Sequence, residues 1–190
     1  MADLNAISEA LQKGKANDVK EMVQAALDEG VTARQVLEEG MMAGMDVVGQ
    51  KFKNNEIYVP EVLIAARAMN AGIAILRPLL ISEDVKAKGT VVIGTVKGDL
   101  HDIGKNLVKM MMEGKGFNVV DMGSDVSAEK FVEAAQENDA DIICCSALLT
   151  TTMTEMKSVV EAADKAGIRS KVHIMVGGAP VTEQFCESIG

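Results

Sequence analysis

The sequence predicts an α/β protein in two parts: an N-terminal four-helix bundle over residues 1–85 and a doubly wound parallel sheet over residues 86–190. Two observations predict this division. Helical patterns punctuated by glycine fill the first part, whereas short β-branched runs alternate with helical patterns in the second. Such alternation is typical of parallel strands that are joined by right-handed helical crossovers.

The first part contains four predicted helices with short connections, which favours a bundle. Thr32 and Gln35 have the spacing of a capping box at the start of the third helix. Pro60 opens the fourth helix, because proline is favoured in the first helical turn. The four helices are predicted at residues 3–13, 16–29, 32–52 and 61–76.

The second part begins after a polar stretch over residues 82–89, which is the predicted linker and hinge. Its strands are predicted at residues 90–96, 117–121, 141–146 and 171–176, and its helices at 103–114, 127–138 and 152–167. Residues 179–182 then open another helix. A sheet of this type normally continues with one more strand and a closing helix, so we expect the chain to be truncated at its C-terminus.

Composition and charge exclude several classes of function. The 190 residues include 28 acidic and 19 basic side chains, giving a net charge of −9 without a basic stripe. This argues against nucleic acid or an anionic membrane surface as the partner. No secretory signal is recognisable, and no run of about 18 apolar residues could span a bilayer. We therefore expect a soluble, cytoplasmic protein.

The three cysteines do not suggest a disulfide framework, because their number is odd and two of them are adjacent. Cys144 and Cys145 lie in a predicted strand, where neighbouring side chains point to opposite faces. They therefore cannot chelate one metal ion together. With Cys186, they are expected to be reduced thiols in a reducing compartment.

The most informative segment is Gly-Asp-Leu-His-Asp-Ile-Gly-Lys, residues 98–105, between the first strand and its helix. Ligands of open α/β sheets bind at the carboxyl ends of the strands, which is where this loop lies. Asp99 stands two residues before His101, and Gly104 follows. A carboxylate this close can orient one ring nitrogen of the histidine and leave the other available to a ligand.

Two other strand ends carry unusual residues. Ser146 begins a hydroxyl-rich segment that includes Thr150 and Thr152 after the third strand, and Gly177 and Gly178 follow the fourth. Each feature alone has an ordinary explanation: a surface histidine, a helix cap or a turn. Because the ends of parallel strands converge on one edge, the three together predict a binding crevice.

Over its whole length the chain resembles the corrinoid proteins of methyltransferase systems and the cobalamin-binding module of methionine synthase. The resemblance implies a helical cap and a Rossmann-like or flavodoxin-like domain that binds cobalamin with its dimethylbenzimidazole displaced from cobalt and buried in a cleft. The motifs that carry the resemblance are Asp99-x-His101-x-x-Gly104, Ser146-x-Leu148 and Gly177-Gly178.

The resemblance implies a role for each residue of a proton relay. His101 takes the vacated position on cobalt through Nε2, as the metal ligand, and Asp99 accepts a hydrogen bond from Nδ1–H. Thr152 is the third member, in place of the serine of methionine synthase, and it keeps the hydroxyl. Protonation of this relay would favour release of His101 and ease reduction of the cobalt.

Further cofactor contacts follow from the same resemblance. Gly104 lets its helix begin close to the corrin or its tail, and Ser146 hydrogen-bonds the buried base. Gly177 and Gly178 leave room for the tail, because a Cβ would intrude there. Leu148 and Thr150 are expected among the contacts of the segment after the third strand.

Residues of the helical part are predicted to cover the upper corrin face. Phe52 and Val59 are seven residues apart, like the phenylalanine and leucine of methionine synthase, and valine for leucine trims the cover. Met45 lies on the same helix face as Phe52 and completes the set. For the methionines of this face, packing in the bundle core is the ordinary alternative.

A histidine below the cofactor, a cover above it and no other catalytic group indicate a carrier, a non-catalytic corrinoid subunit in one-carbon metabolism. The resemblance implies methylcobalamin as the loaded state. The implied partners are a substrate-specific methyltransferase, a second one that acts on tetrahydrofolate or coenzyme M, and a reductive activase. Methylamines, methanol, quaternary amines and methoxyaromatics are all possible donors.

Three alternatives stay open at this point. The same two-part unit occurs in B12-dependent sensors and regulators, although no helix-turn-helix or basic region accompanies it in this sequence. The B12 domain of adenosylcobalamin mutases shares the Asp-x-His-x-x-Gly loop but usually accompanies a large barrel. A flavodoxin-like module without cobalt would make His101 incidental.

Overall fold

The computed structural model describes residues 3–82 and 86–190. The chain divides into two compact units, residues 1–86 with 110–116, and residues 87–109 with 117–190. Of the predicted linker and hinge at 82–89, residues 83–85 lie outside the described part of the chain.

The first unit is helical, as predicted. Its third predicted helix contains a π-helical stretch, Val36–Met42, and the capping box of Thr32 and Gln35 is present at its start. Gly40 in this stretch and Gly44 just after it lie close to the first helix, since a Cβ on Gly40 would lie 3.4 Å from the Ile7 side chain and one on Gly44 would lie 3.1 Å from the backbone oxygen of Ser8. The elements are α1 (Leu4–Gln12), α2 (Ala16–Asp28), α3 (Ala33–Gln35), the π-helix (Val36–Met42), α4 (Ala43–Lys53) and α5 (Val59–Ser82).

The last helix of this unit differs from the prediction. Helix α5 continues to Ser82, past Pro78, so the predicted end near residue 76 is wrong. A proline inside a helix removes one backbone donor and one hydrogen bond, but the apolar run that continues to Leu80 stays helical. The buried side chains of the unit include Leu11, Val19, Val23, Met41, Met45 and Met69.

Helix α5 contradicts the prediction that no apolar run is long enough to span a bilayer. Over Val59–Leu80 it is long and apolar enough to cross a membrane by length and composition alone, with a mean hydropathy of 1.5. Such a segment is weak evidence for a membrane span, because the core helix of a bundle passes the same test. Its buried face, with Val62, Ala65 and Met69, is that of a helix packed within the bundle.

The second unit is a parallel sheet with the strand order β2-β1-β3-β4, and the predicted α/β alternation is confirmed. Helix α8 begins at Glu155, later than the predicted residue 152, because residues 149–154 form turns and the Thr152 side chain bonds to Asp99. The elements are β1 (Thr90–Thr95), α6 (Ile103–Gly114), β2 (Asn118–Asp121), α7 (Ala128–Glu137), β3 (Ile142–Ser146), α8 (Glu155–Lys165), β4 (His173–Gly177) and α9 (Glu183–Ile189).

The two faces of the sheet have different surroundings. One face packs against α7 and α8 in a core that contains Phe131 and Cys145, and Gly94 leaves room for the Phe131 ring. On the other face, Cys144 pairs in register with Met175, and their sulfur atoms are 4.0 Å apart. Cys144 and Cys145 therefore point to opposite faces, as predicted, and burial raises the pKa of Cys144 to about 11.

An ion pair between a buried lysine and a partly exposed aspartate connects the start of α6 to the end of β2. The Lys105 side chain is 2% exposed, and its Nζ lies 2.6 Å from Oδ1 of Asp121. The other oxygen of Asp121 accepts from Lys109 at 3.1 Å, and the Gly123 backbone N–H donates to Oδ1. Burial raises the pKa of Asp121, but these donors outweigh it and lower the pKa to about 2.

This pair makes stability depend on pH in a predictable direction. Because the Asp121 pKa is below its ordinary value of 3.8, its contribution is present above that pH and is lost as pH falls towards about 2. We expect Asp121→Asn to lower the free energy of unfolding by about 3 kcal/mol at neutral pH. Urea unfolding followed by circular dichroism from neutral to acidic pH measures this difference.

The difference between wild type and Asp121→Asn should shrink through that acidic window. Asp164→Asn, a change of an exposed carboxylate on α8, is the matched control and should have little effect. A difference that stays constant from neutral to acidic pH would show that the Asp121 charge is not what stabilises the start of α6.

Candidate functional site

The loop between β1 and α6 places a fully buried carboxylate beside a half-exposed histidine. We call residues 97–102 the His101 loop. The Asp99 side chain is 0% exposed and the His101 side chain is 52% exposed. Oδ1 of Asp99 accepts from the backbone N–H of His101 at 3.1 Å and lies 2.7 Å from its ring Nδ1.

The other oxygen of Asp99 is held by the segment after β3. Oδ2 accepts from the backbone N–H groups of Leu148 at 2.8 Å and Leu149 at 3.2 Å. The Thr152 hydroxyl donates to the same oxygen at 2.7 Å, and the carbonyl of Leu149 is a second acceptor for it at 3.1 Å. The structure thus brings Asp99, His101 and Thr152 together in one hydrogen-bonded chain.

These contacts determine the charge of Asp99 and the tautomer of His101. Burial raises the pKa of Asp99, but the hydrogen bonds from Thr152, the His101 backbone and ring, and Leu148 outweigh it and hold the pKa well below its usual range. A carboxylate can only accept, so Nδ1 of His101 carries the proton. Nε2 then keeps the lone pair that a metal ion needs.

A groove of about 380 Å³ lies on the sheet face opposite the α7–α8 core. Ser146 and Gly177 line it beside one another, because they pair in register at the ends of β3 and β4. Most of the lining is apolar, with Lys105 as the charged member. The groove is lined by Ile93, Gly104, Lys105, Leu107, Val108, Cys144, Cys145, Ser146, Met175, Val176, Gly177 and Gly178.

The glycines of this region differ in what surrounds them. A Cβ on Gly104 or Gly177 would meet no atom of the described residues within 4 Å, so both leave open space on the groove side. Gly178 has a φ of +144° and a Cβ there would lie 1.7 Å from the backbone oxygen of Ala147. Gly178 is therefore required because a side chain there would clash with the backbone of Ala147. The reason inferred from the sequence was a different one, room for the tail of the cofactor.

Exposed apolar side chains flank His101. Leu148, predicted as a contact, is 45% exposed, and Thr150 is exposed in the turn that follows. Sequence reasoning missed Leu100 and Ile103, which are 74% and 78% exposed, and Leu149, which is 42% exposed. Apolar residues in a polar loop were the available signal, since an exposed apolar patch marks a binding surface.

The three residues predicted to cover the upper corrin face belong to the first unit. Phe52 and Val59 are half-buried, at the end of α4 and the start of α5, and Met45 is buried. The burial of Met45 fits the alternative of core packing. Contact of these side chains with a cofactor stays a prediction.

The site fits a metal that arrives inside a macrocycle. Within residues 3–82 and 86–190, no group of three or more His, Cys, Asp or Glu side chains could hold a metal ion. A single histidine suits a metal whose remaining ligands come from a ring, as in haem proteins. The exposed apolar side chains and the adjoining groove offer a surface for such a ring and its tail.

Two family matches cover most of the chain. A family described as B12 binding domain matches residues 89–190, and a second family of the same description matches residues 3–77. The matches account for both units. Both descriptions name B12 binding, which contradicts the alternative of a flavodoxin-like module without cobalt.

Curated relatives are similar over nearly the whole chain. A corrinoid protein of Desulfitobacterium hafniense (strain Y51) is 39% identical over 193 residues, with 100% of this chain and 89% of the relative covered. Trimethylamine corrinoid protein 1 of Methanosarcina mazei is 45% identical over 172 residues, with 90% and 80% covered.

Solved structures share the fold. A cobalamin-binding protein of Desulfitobacterium hafniense DCB-2 superposes with a TM-score of 0.84 at 30% identity, covering 100% of this chain and 90% of that one. The methanol:cobalamin methyltransferase complex of Methanosarcina barkeri gives 0.83 at 35% identity, covering 96% and 69%. The chain therefore belongs to the cobalamin-binding corrinoid proteins, with an N-terminal helical domain and a Rossmann-like domain, and its cofactor is a cobalamin or a closely related corrinoid.

Proposed function

We propose that this chain is a methyl carrier that binds cobalamin with its own base displaced and with His101 as the lower ligand of cobalt. The observation that carries the proposal is the Asp99 carboxylate, which is buried, anionic and bonded to Nδ1 of His101. The adjoining groove supports the displacement of the base, because Ser146 and the open side of Gly177 line a cleft in which a planar ring can lie.

When bound, the cofactor would supply a nucleophilic cobalt that accepts a methyl group from a donor and releases it to an acceptor. The residues of this chain contribute binding and orientation. Asp99 keeps the imidazole in one tautomer and ring orientation, and Thr152 holds the far oxygen of that carboxylate. Leu100, Ile103 and Leu148, which are exposed apolar side chains near His101, would contact the corrin and exclude water from it.

The methyl donor is recognised by a partner methyltransferase. Support comes from the relatives, which carry different donors in their names: a trimethylamine corrinoid protein at 45% identity and a dimethylamine corrinoid protein at 41%. The methanol:cobalamin methyltransferase complex is similar as well. Because chains named for different donors resemble this chain about equally, donor recognition is better placed in the partner.

The proposal includes the remaining partners inferred from the sequence. A second methyltransferase transfers the methyl group to tetrahydrofolate or coenzyme M, and a reductive activase restores the reduced cofactor. The cytoplasm is the proposed location. Phe52, Val59 and Met45 are the proposed cover of the upper corrin face.

Reconstitution tests the ligand assignment. The chain mixed with hydroxocobalamin and freed of excess cofactor should keep a corrin spectrum of the base-off, histidine-on type. His101→Ala should retain some corrinoid with a spectrum that lacks the histidine ligand. His173→Ala is the matched control, because the chain has only these two histidines and His173 lies on β4.

The same measurement can contradict the proposal. A histidine-on spectrum that persists in His101→Ala would remove His101 as the ligand. A spectrum that changes equally in His173→Ala would mean that the change is not specific to the His101 loop.

The Thr152 hydroxyl tests the positioning of the carboxylate. Removing it in Thr152→Val takes away one of the donors that lower the pKa of Asp99, so that pKa rises. The carboxylate then protonates at higher pH, and loss of the histidine-on spectrum on acidification should begin at higher pH than in wild type. We also expect about tenfold weaker retention of cobalamin.

Thr152→Ser keeps the hydroxyl and serves as the control. It should behave like wild type in the acid titration of the spectrum. If Thr152→Val and Thr152→Ser titrate alike, the hydroxyl does not support the carboxylate.

Methyl transfer tests the carrier role directly. The cobalamin-loaded chain, kept reduced by a low-potential chemical reductant, is mixed with a purified methylamine or methanol methyltransferase and its donor. The spectrum should change to that of the methylated cofactor at a rate that depends on both proteins and the donor. An adenosyl-cofactor preference with no methyl uptake from any of these donors would favour the mutase-domain alternative.

A further inference from the structure

The backbone of the His101 loop is held by two residues outside the relay. The first is Thr95, the last residue of β1, whose side chain is 0% exposed. Its hydroxyl donates to the backbone carbonyl of His101 at 2.8 Å. This contact fixes the carbonyl next to the imidazole, and neither Asp99 nor Thr152 takes part in it.

The second is Asp125, in the turn between β2 and α7. Its Oδ1 accepts from the backbone N–H of Gly98 at 2.7 Å. Its own backbone N–H donates to the carbonyl of Asp99 at 3.1 Å. One residue from a different connection therefore holds the loop at two points on the N-terminal side of His101.

The conformation of Asp125 supports a specific role for its side chain. Its φ is +57°, in the left-handed region that costs energy for residues other than glycine. Gly123, two residues earlier, also has a positive φ, +76°, which glycine adopts without a steric penalty. At position 125 a carboxylate occupies this conformation, and it accepts a hydrogen bond from Gly98 that glycine could not accept.

The turn that contains Asp125 is hydrogen-bonded to Thr95 at the end of β1. The backbone N–H of Thr95 donates to the carbonyl of Gly123 at 2.9 Å, and that of Val126 donates to the carbonyl of Thr95 at 3.0 Å. The turn that contains Asp125 is thus fixed to the end of β1. The loop is held between two supports that cannot move independently.

We propose that Asp125 and Thr95 are positioning residues that fix the backbone of the His101 loop so that the imidazole is presented in its ligating orientation. The inference rests on the proposed role of His101 as the cobalt ligand. The relay holds the side chains of Asp99 and His101, whereas these two residues hold the backbone N–H and carbonyl groups of the same loop. Both sets of hydrogen bonds are needed because the orientation of the imidazole changes when the backbone of His101 moves.

Four variants separate the hydrogen bonds from the fold. Asp125→Gly tolerates the positive φ but lacks the acceptor, and Asp125→Asn tolerates it and keeps an acceptor oxygen. Thr95→Val removes the hydroxyl with little change of shape, and Thr95→Ser keeps it. Circular dichroism and the amide protection of Cys144 on β3 report whether the sheet is intact.

The chain without cofactor provides the first readout. In Asp125→Gly the Gly98 amide should exchange about tenfold faster, as expected for the loss of one hydrogen bond to a charged group. Imidazole 15N spectra at one fixed pH should show the Nδ1–H tautomer of His101 in wild type and a mixture in Asp125→Gly and Thr95→Val. His173→Gln assigns the two histidine signals.

The cobalamin-loaded chain provides the second readout. The histidine-on fraction should fall in Asp125→Gly and Thr95→Val, and Asp125→Asn and Thr95→Ser should restore it. A wild-type histidine-on fraction in both disruptive variants, or a failure of both conservative variants to restore it, would overturn the proposal. If wild type itself binds no corrinoid, the proposed function fails, and an unchanged His101 tautomer in the disruptive variants would overturn this inference separately.

Discussion

The buried carboxylate of Asp99 is the interaction on which the rest of the site depends. A charge taken out of water is costly unless it is fully hydrogen-bonded. Asp99 meets this condition with five donor groups from the loops after β1 and β3. Because the donors come from two connections, the charge can stay buried only while both connections keep their conformation, and the imidazole is oriented as a consequence.

Two hydrogen-bonded acids, the partly exposed Asp121 and the buried Asp99, have different roles at this edge of the sheet. Asp121 is paired with the ammonium group of Lys105, so its charge is neutralised locally and fixes the start of α6. Asp99 accepts hydrogen bonds from N–H and O–H groups, and one of these donors, the His101 ring, is half exposed. The first pair is suited to hold a helix in place. The second leaves a ring nitrogen that can bind a metal ion.

The convergence of parallel strand ends predicts that the loops of Asp99, His101 and Thr152 lie at one edge of the sheet, and the family resemblance implies that these three residues form a relay. The sequence could not predict the donors from Leu148 and Leu149, since backbone groups carry no residue signature. Thr95 and Asp125 were missed for a related reason: one looks like an ordinary strand residue and the other like an ordinary turn residue. The course of α5 past Pro78 depends on packing rather than on local preference.

Under the proposed function, the arrangement would let the same His101 site be used with different methyl donors. Of the residues that hold His101, Asp99, Thr95 and Thr152 are buried, and Asp125 is exposed but bonds only to the backbone of the loop. In the proposed carrier, their effect would be to keep the orientation of the His101 ring constant whichever methyltransferase binds. In the proposed carrier, specificity can then evolve in the partner without disturbing the support of His101. A support made of hydrogen bonds to Asp99, Gly98 and the His101 carbonyl is suited to this, because its geometry is set within the sheet and three of its connections.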